Sequence, residues 1–318
     1  MDRLQEIEVF VAVAETGGLS RAATRLRLSP PAVTRTLASL EDRLGVRLFH
    51  RTTRSLTITE AGQRFLDRSR RILTDLEDAQ ADAAGEASVP RGHLSVTASV
   101  TFGRAILAPI ICDFLRENRK VTVSALFMDR VVNLVDEGID IAVRIGELPE
   151  SGLIARKLGS VRRLLVASPG YLRRHGSPAA PGDLGQHRVI AFTGLMPLHE
   201  WRHQTGSKPQ SIALSPAFEV NDALAALEAA EAGHGISPAL SYMVADRLRD
   251  GRLVEVLSES SLPPVPVHIV HASPRLVAPK VRAFIDFAAP LLARQLGTVI
   301  PDGPRTGPPH RSMRGHAP

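Results

Sequence analysis

Cysteine is nearly absent from this sequence: Cys112 is the one cysteine among 318 residues. A single thiol excludes an intrachain disulfide framework. Because Cys112 lies in the apolar segment 107–115, we expect it to be a small buried residue rather than a redox sensor. No apolar run approaches the length of a membrane span, and no export signal opens the chain. We therefore expect a cytoplasmic protein with no membrane partner.

Catalytic signatures are also scarce. The sequence has no glycine-rich phosphate loop, no nucleophile elbow and no supported cysteine–histidine pair. His199-Glu-Trp-Arg-His203 does satisfy the H-E-x-x-H pattern of zinc peptidases, which needs both histidines one turn apart on a stable helix. Pro197 and Gly206 leave room for barely two turns, so we interpret the motif as a chance match. We expect no metal, no cofactor and no enzymatic activity.

The composition is that of a globular protein with two or three folding units. Hydrophobic residues make up 44% and charged residues 23% of the 318 positions. The net charge of +6 and the pI near 10.2 suit an anionic partner. Arginine is favoured over lysine, which suits bidentate contacts to phosphate and guanine, although a GC-rich genome would produce the same bias.

Residues 20–44 have the pattern of a helix-turn-helix. Ser20 can cap a short helix over 21–26, and Ser29 can cap a second helix. Pro30 and Pro31 suit the first turn of that second helix, where a missing N–H has no intrahelical partner anyway.

The second helix has one apolar and one polar face. The apolar positions, at the spacing of a buried stripe, are Val33, Leu37, Leu40 and Leu44. The opposite face carries Pro31, Thr34, Arg35 and Ala38. Small, hydroxyl and guanidinium groups on the outer N-terminal turns suit entry into a DNA major groove.

The following residues predict a wing. Segment 46–50 is typical of a strand, 51–54 of a basic turn, and 55–58 of a second strand with alternating apolar positions. Arg51 and Arg54 flank two threonines, which supplies the charge and hydroxyl donors that phosphate contact requires. The alternative is an ordinary three-helix core with a solvated charged face.

Further helices flank this module. An apolar stripe from Leu4 to Ala14 predicts a first helix that ends at Gly17. After the wing, Thr57 or Thr59 can cap a long helix that begins near Glu60. Its heptad-like seam, interrupted at Ser69, comprises Phe65, Ile72, Leu76, Ala79 and Ala83. That seam favours a helix-to-helix dimer contact, and the alternative is packing on its own domain. Residues 84–92 then indicate a hinge.

From residue 93 onward, strands and helices alternate. The predicted strands are 93–97, 121–127, 140–144, 164–167, 189–192, 253–256 and 267–271, and the predicted helices are 102–117, 131–137, 221–232 and 279–296. The alternation favours a mostly parallel sheet with room for two lobes and a cleft. The proline- and glycine-rich stretch after residue 300 is expected to be disordered.

With these residues in view, the chain resembles the LysR-type transcriptional regulators over nearly its whole length. The N-terminal segments that carry the resemblance are 10–17, 29–35, 40–45, 48–54 and 56–62. Segments 129–146 and 167–172 resemble the branch near the CrgA-type regulators. Two departures are Asn118-Arg-Lys120, where Tyr-Pro is usual, and Ser237-Pro238 after a matching glycine pattern.

The resemblance implies an α/β protein with an N-terminal winged helix-turn-helix, a long linker helix and a two-lobed effector domain like a type 2 periplasmic binding protein. The implied division is residues 1–59 for DNA binding, 60–90 for the linker helix and dimerisation, 91–297 for the effector domain, and 298–318 for a disordered tail. A solute-binding protein and an enzyme built on the histidine pair are the rival interpretations. Salt-dependent duplex binding separates both from a DNA-binding protein.

The resemblance also implies site residues. At or beside the DNA are Ser20, Ser29, Pro30, Pro31, Thr34, Arg35, Arg51, Thr53 and Arg54, with Pro31, Thr34 and Arg35 at the base edges. Ser99, Val100 and Thr101 precede a helix, whose free N–H groups could cradle an anion. Across the cleft the candidates are Phe127, Ile145, Gly146, Phe192, Thr193, Asn221 and His234. Alternatively, Asn221 and Ser99 simply cap the helices that follow them.

The implied function is a ligand-responsive transcription factor. Its expected partners are double-stranded operator DNA, a small-molecule effector for which a carboxylate is the candidate, and further copies of the chain in a homodimer or homotetramer. RNA polymerase joins this set if the protein is an activator.

Overall fold

The computed structural model describes residues 2–51, 56–83, 89–149, 152–196, 199–205, 208–272 and 278–299. The N-terminal head and its linker helix comprise α1 (Arg3–Thr16), α2 (Leu19–Leu26), α3 (Pro30–Leu44), β1 (Phe49–Arg51), β2 (Leu56–Ile58) and α4 (Glu60–Ala83). Strands β1 and β2 pair antiparallel, as expected for a wing.

The helix starts of the head follow capping rules, with one correction. Ser29 accepts a hydrogen bond from the Ala32 N–H at 3.3 Å and caps α3, as predicted. The prediction that Ser20 caps α2 is wrong, because α2 begins at Leu19 with Gly18 at the cap position. Ser20 lies within the first turn, and its carbonyl accepts from the Thr24 hydroxyl.

The apolar stripe of α3 forms the centre of the head core. The main buried side chains are Phe10, Val33, Leu37, Leu40, Leu48, Phe49 and Leu66. Leu44, predicted to be buried, is 36% exposed because the last turn of α3 extends past the core. The head core therefore supports the N-terminal half of α3, whereas the last turn of the helix is exposed.

The linker helix α4 is capped by Thr59, whose hydroxyl accepts from the Gly62 N–H at 2.9 Å, while Thr57 lies in β2. Phe65 packs against the head core, so the early part of α4 packs on its own domain. Ile72, another position of the predicted seam, is 48% exposed. The dimer contact stays a prediction for that exposed part.

The remaining elements form two lobes. The chain enters the first lobe with β3 (Gly92–Ala98), α5 (Val100–Phe102), a π-helical turn (Gly103–Leu107), α6 (Ala108–Glu117), β4 (Val121–Phe127), α7 (Leu134–Glu137), β5 (Ile141–Ile145) and β6 (Ile154–Val161). The second lobe holds β7 (Arg163–Ala167), α8 (Pro169–His175), β8 (Ile190–Phe192), β9 (Glu200–Thr205), β10 (Lys208–Ala213), β11 (Phe218–Val220), α9 (Ala223–Glu231), β12 (Ser237–Leu240), α10 (Ser241–Arg249) and β13 (Val254–Val256). The chain then returns to the first lobe with β14 (Val265–His271) and α11 (Pro279–Val299).

The sheets are mixed, which corrects the prediction of a mostly parallel sheet. In the first lobe the order is β4-β3-β5-β14-β6; β3 runs parallel to β4 and β5, but β14 runs antiparallel to β5 and β6. In the second lobe β7 pairs antiparallel with both β12 and β13. Neighbouring parallel strands need a crossover connection, usually a helix, within the same sheet. Strand β14 returns from the other lobe without one, so it is free to run antiparallel to β5 and β6.

Other local predictions also need correction. The predicted helix 131–137 is only the four residues of α7, and strand β6, the β9–β10 hairpin and helices α8 and α10 were not anticipated. Cys112 is exposed rather than buried, because α6 turns Ile111 and Phe114 toward the core. Within the described residues, no helix combines the length and the apolar character needed to cross a bilayer.

Candidate DNA interface and ligand cleft

The outer face of α3 presents donors near its N-terminus. Pro31 and Arg35 are exposed, and the half-buried Thr34 donates its hydroxyl to the Pro30 carbonyl at 3.0 Å. In the described part of the chain, the Arg35 guanidinium has no hydrogen-bond or ion-pair partner. By contrast, Arg43 on the same helix is paired with Glu6. Arg35 is therefore free to donate to another molecule.

The other predicted DNA contacts have varied placements. Ser20 and Pro30 are exposed, whereas the Ser29 hydroxyl is already engaged in capping α3. Arg51 ends β1, and its side chain is not described. Thr53 and Arg54 lie outside the described residues.

A buried carboxylate that sequence reasoning missed joins α3 to the wing. The Glu41 side chain is 1% exposed. One of its oxygens accepts from the N–H groups of Leu48 at 2.8 Å and Phe49 at 3.2 Å, and the other accepts from Arg47 at 3.1 Å. A signal existed, since Glu41 follows Leu37 by one helical turn and so falls on the buried stripe.

A second buried carboxylate joins α1 to α3. Glu6 accepts from the Ser39 hydroxyl at 2.8 Å and from the Arg43 guanidinium at 2.6 Å and 3.0 Å. Burial raises the pKa of Glu6, but the hydrogen bonds from Arg43 and Ser39 outweigh it and leave the pKa below the ordinary value of 4.5. Glu6 is thus held ionised inside the head.

The wing is also fixed to the start of α4. The Thr59 N–H donates to the Leu48 carbonyl at 2.9 Å, and the Thr59 hydroxyl donates to the Arg47 carbonyl at 2.9 Å. At Gly62 an added Cβ would lie 2.2 Å from the Leu48 carbonyl oxygen, so only glycine permits this approach. Helix α3, the wing and the start of the linker helix α4 therefore form one packed unit.

A cavity of about 320 Å³ lies between the two lobes. Of the predicted effector residues, Ser99, Ile145 and Phe192 line it. Its lining does not include Val100, Thr101, Phe127, Gly146, Thr193, Asn221 or His234. The Phe127 ring instead lies against Gly103, where an added Cβ would be 2.3 Å away.

The predicted anion cradle at α5 is already engaged by the chain itself. The Val100 N–H donates to an Asp129 carboxylate oxygen at 3.0 Å, so one of the donors offered to a ligand is taken. The capping alternatives have different outcomes. Ser99 does occupy the cap position of α5, although its hydroxyl accepts no hydrogen bond from the helix, whereas Asp222, not Asn221, caps α9 by accepting from the Ala225 N–H at 2.7 Å.

Two buried hydroxyls in the cavity wall lie close together. The Ser99 and Tyr242 hydroxyls form no hydrogen bond of standard geometry among the described atoms, although Ser99 is near enough to lower the pKa of Tyr242 against the larger effect of burial. Tyr242 is 8% exposed, and its ring meets that of Phe102 edge-on at 5.3 Å. Burial raises the pKa of Tyr242, so the phenol stays protonated and able to donate.

The H-E-x-x-H segment has the wrong backbone for a zinc peptidase. Glu200 to His203 lie in β9, which pairs antiparallel with β10. His199 precedes the strand at φ +54° and contacts Glu219 at 2.7 Å. Successive strand side chains point to opposite faces, so this segment does not give the helical turn that the zinc motif needs.

Comparison with known proteins decides the family. Residues 4–63 match the family described as bacterial regulatory helix-turn-helix protein, lysR family, and residues 87–293 match the LysR substrate binding domain. The chain belongs to the LysR family of transcriptional regulators.

Individual relatives agree with that assignment. The chain is 35% identical over 288 residues to an HTH-type transcriptional regulator of Xanthomonas campestris pv. campestris, covering 89% of this chain and 84% of the relative. It is 32% identical over 293 residues to the regulator CrgA of Neisseria meningitidis serogroup B, covering 92% and 98%.

Solved structures give the same result. The N. meningitidis CrgA structure is 33% identical with a TM-score of 0.58, covering 92% of this chain and 98% of that one. Full-length AphB, a Vibrio cholerae virulence activator of the LTTR family, is 27% identical with a TM-score of 0.57, covering 90% and 98%. The resemblance and the fold class predicted from the sequence are confirmed. This LysR-type protein is a DNA-binding transcriptional regulator with a two-lobed effector-binding domain.

Proposed function

We propose that this LysR-type regulator reads its operator with the N-terminal turns of α3. The observation that carries the proposal is the free guanidinium of Arg35 on the exposed face of a capped helix. Pro31 and Thr34 share that face and would contact base edges with it. Arg51, Thr53 and Arg54 of the wing would bind phosphates or the minor groove, and Ser20, Ser29 and Pro30 would lie beside the backbone.

The test is base discrimination by Arg35→Ala. We expect the substitution to weaken binding to the cognate operator by roughly 1–3 kcal/mol and to relax base choice there. Arg54→Ala should weaken binding more evenly across sequences. The operator is first selected from random duplexes with the full-length protein, and gel shifts on matched and scrambled duplexes then measure both variants.

Arg3→Ala is the matched control, since it removes one exposed arginine from α1, outside the proposed interface. Unchanged operator affinity in both Arg35→Ala and Arg54→Ala would contradict the proposed interface. Equal losses in Arg3→Ala and Arg35→Ala would show a general charge effect instead.

Assembly supplies the geometry for two half-sites. In the proposed division, residues 1–59 bind DNA, 60–90 link and dimerise, 91–297 bind the effector and 298–318 form a tail. The exposed Ile72 supports a contact between α4 helices of a homodimer, or of a homotetramer built from two. Two reader helices would then meet half-sites about 34–36 Å apart, or a multiple of that.

The effector completes the proposed function. A small molecule, with a carboxylate as the candidate class, would bind between the lobes and favour one arrangement of lobes and subunits. Ser99, Ile145 and Phe192 are its best-supported contacts because they line the cavity. The protein would act in the cytoplasm without enzymatic activity, and would contact RNA polymerase if it activates transcription.

A further inference from the structure

Arg163 differs from the other arginines that line the cleft. It begins β7, directly after the chain crosses into the second lobe, and it is half-buried in the cavity wall. Over the described ranges, no carboxylate or other hydrogen-bonding group pairs with its guanidinium. Its sequence neighbour Arg162 has a partner by contrast, since one of its guanidinium nitrogens forms an ion pair with Glu255.

The remaining charges of the cavity are already satisfied or exposed. Arg130 is paired with Glu137 at 2.7 Å, and Arg144 donates to the Val132 carbonyl. Asp129 accepts the Val100 N–H, and Glu147 is exposed at the rim. The charge of Arg163 is therefore the one in this lining that is both desolvated and uncompensated in the described structure.

An unpaired cation in such a place is unfavourable by itself. Removing a charge from water costs free energy unless an opposite charge or hydrogen-bond acceptors replace the water. Burial and, to a smaller degree, the positive charge of Arg202 lower the pKa of Arg163. An anion between the lobes would remove this cost, so this wall of the cleft favours negative charge.

The rest of the wall indicates what else the anion carries. Ile145, Phe192 and Leu240 supply apolar surface, and the neighbouring buried hydroxyls of Ser99 and Tyr242, which form no hydrogen bond of standard geometry, supply donors. The volume of about 320 Å³ lies at the lower end for small-molecule sites, which suits a body of roughly one ring.

We propose that Arg163 binds the negative charge of the effector, a small organic carboxylate with an apolar body whose oxygens also accept from Ser99 and Tyr242. This assignment rests on the proposed effector response and identifies the chemical class of its ligand. It places the charge contact on the second lobe, whereas the helix-terminus site expected from the sequence lies on the first. A ligand held by Arg163 and Ser99 would bridge the cleft.

Adjacent arginines allow a matched test in the full-length protein. The probes are sodium benzoate and sodium phenylacetate at 10 mM, each compared with its neutral amide in 10 mM sodium chloride. We expect at least one carboxylate, and neither amide, to raise the thermal midpoint of the wild type. Arg163→Gln should lower the affinity for that carboxylate at least about tenfold, because a hydrogen bond between charged groups contributes roughly that much or more to binding. Arg162→Gln should keep the response.

Measurements without ligand keep the test informative. Arg163→Gln should have a midpoint no lower than that of the wild type, whereas Arg162→Gln should be less stable because it leaves Glu255 unpaired. Tyr242→Phe keeps the ring contact with Phe102. This variant should bind the carboxylate several-fold more weakly, while its thermal midpoint without ligand should not fall below that of the wild type. If Arg163→Gln does not fold, Arg163→Lys tests the same contact, since it retains the charge but loses the bidentate geometry and should bind more weakly than the wild type.

Three results would overturn the proposal: neither carboxylate acts on the wild type, the amides act equally, or Arg163→Gln responds like the wild type. If Arg163→Gln does not fold, an Arg163→Lys variant that binds the carboxylate as tightly as the wild type would overturn the proposal instead. Operator gel shifts separate this inference from the proposed function. A wild type that binds the operator but ignores the carboxylates loses only the Arg163 assignment, whereas one that binds no duplex loses the DNA-reading function.

Discussion

Removing the Glu41 carboxylate should unfold the DNA-reading head far more readily than removing its neighbour. Glu41→Ala leaves the N–H groups of Leu48 and Phe49 buried without an acceptor, and Arg47 without its partner. Each unsatisfied buried donor costs about 1–3 kcal/mol. A total of about 3–5 kcal/mol is expected, which matches the usual cost of breaking a buried ionic contact from one side. That is a large part of the 5–15 kcal/mol available to a typical folded domain.

The assay is denaturant unfolding of the full-length protein observed by two signals. Far-UV circular dichroism reports all helices, whereas Trp201, the one tryptophan, is buried in the second lobe. Glu41→Ala should shift the helical transition to lower denaturant while the tryptophan transition stays in place. Operator binding should weaken in parallel, because the wing would no longer be fixed to the reader helix.

Asp42→Asn and Glu41→Gln form the control pair, since each neutralises one carboxylate on α3. Asp42 is exposed, so its substitution should change stability by no more than about 0.5 kcal/mol. Glu41→Gln keeps one acceptor oxygen and should fall between Asp42→Asn and Glu41→Ala. Equal stability of Glu41→Ala and Asp42→Asn would refute the role assigned to Glu41.

Two further substitutions test the joints of the head. Gly62→Ala should destabilise the head by about 1–3 kcal/mol in denaturant unfolding, because the added Cβ would lie 2.2 Å from the Leu48 carbonyl oxygen. The control is Gly297→Ala in α11, where the added Cβ would meet open space and should not destabilise the protein. Equal losses of stability in both variants would count against the close approach at Gly62. Glu6→Gln should reduce stability at neutral pH, where the depressed pKa of Glu6 contributes fully, and the difference should shrink as pH falls below 4.5 through the lower folded pKa. A pH-independent difference, or an equal effect in the exposed Glu8→Gln, would contradict that account.

The reader helix was predictable because its determinants are local. Ser29, the two prolines after it and the stripe through Leu37 lie within a few turns of one another, so capping and periodicity specify the helix without the rest of the fold. The mixed sheets could not be obtained this way. Strand β14 pairs with β5 and β6 across more than a hundred residues, and its direction depends on how the chain passes between lobes.

The ligand site shows the same limit more sharply. Ser99 and the residues after it form a local pattern that predicts an anion at a helix start, and the cavity does adjoin Ser99. The pattern could not show that Asp129, 29 residues after Val100, would take the first N–H. Nor could it show that Arg163 would lack a counter-ion while Arg162 found Glu255, 93 residues away. Pairing between distant charges is a property of the folded chain. The sequence therefore predicted a cleft between two lobes, but it could not show that Arg163 is the unpaired positive charge in its wall.

The contacts of the head also constrain how a ligand can control DNA binding. Glu41 ties α3 to the wing, while Thr59 and Gly62 tie the wing to the start of α4. Further along, Arg70 of α4 is paired with Glu15 of α1 at 3.1 Å. Reshaping the reader helix would break the buried contacts of Glu41, each at a cost comparable to a whole allosteric coupling of about 1–3 kcal/mol, whereas the partly exposed Arg70–Glu15 pair adds little. Moving each head together with the start of α4 breaks none of these contacts, which supports the proposed control of DNA binding through the spacing between heads.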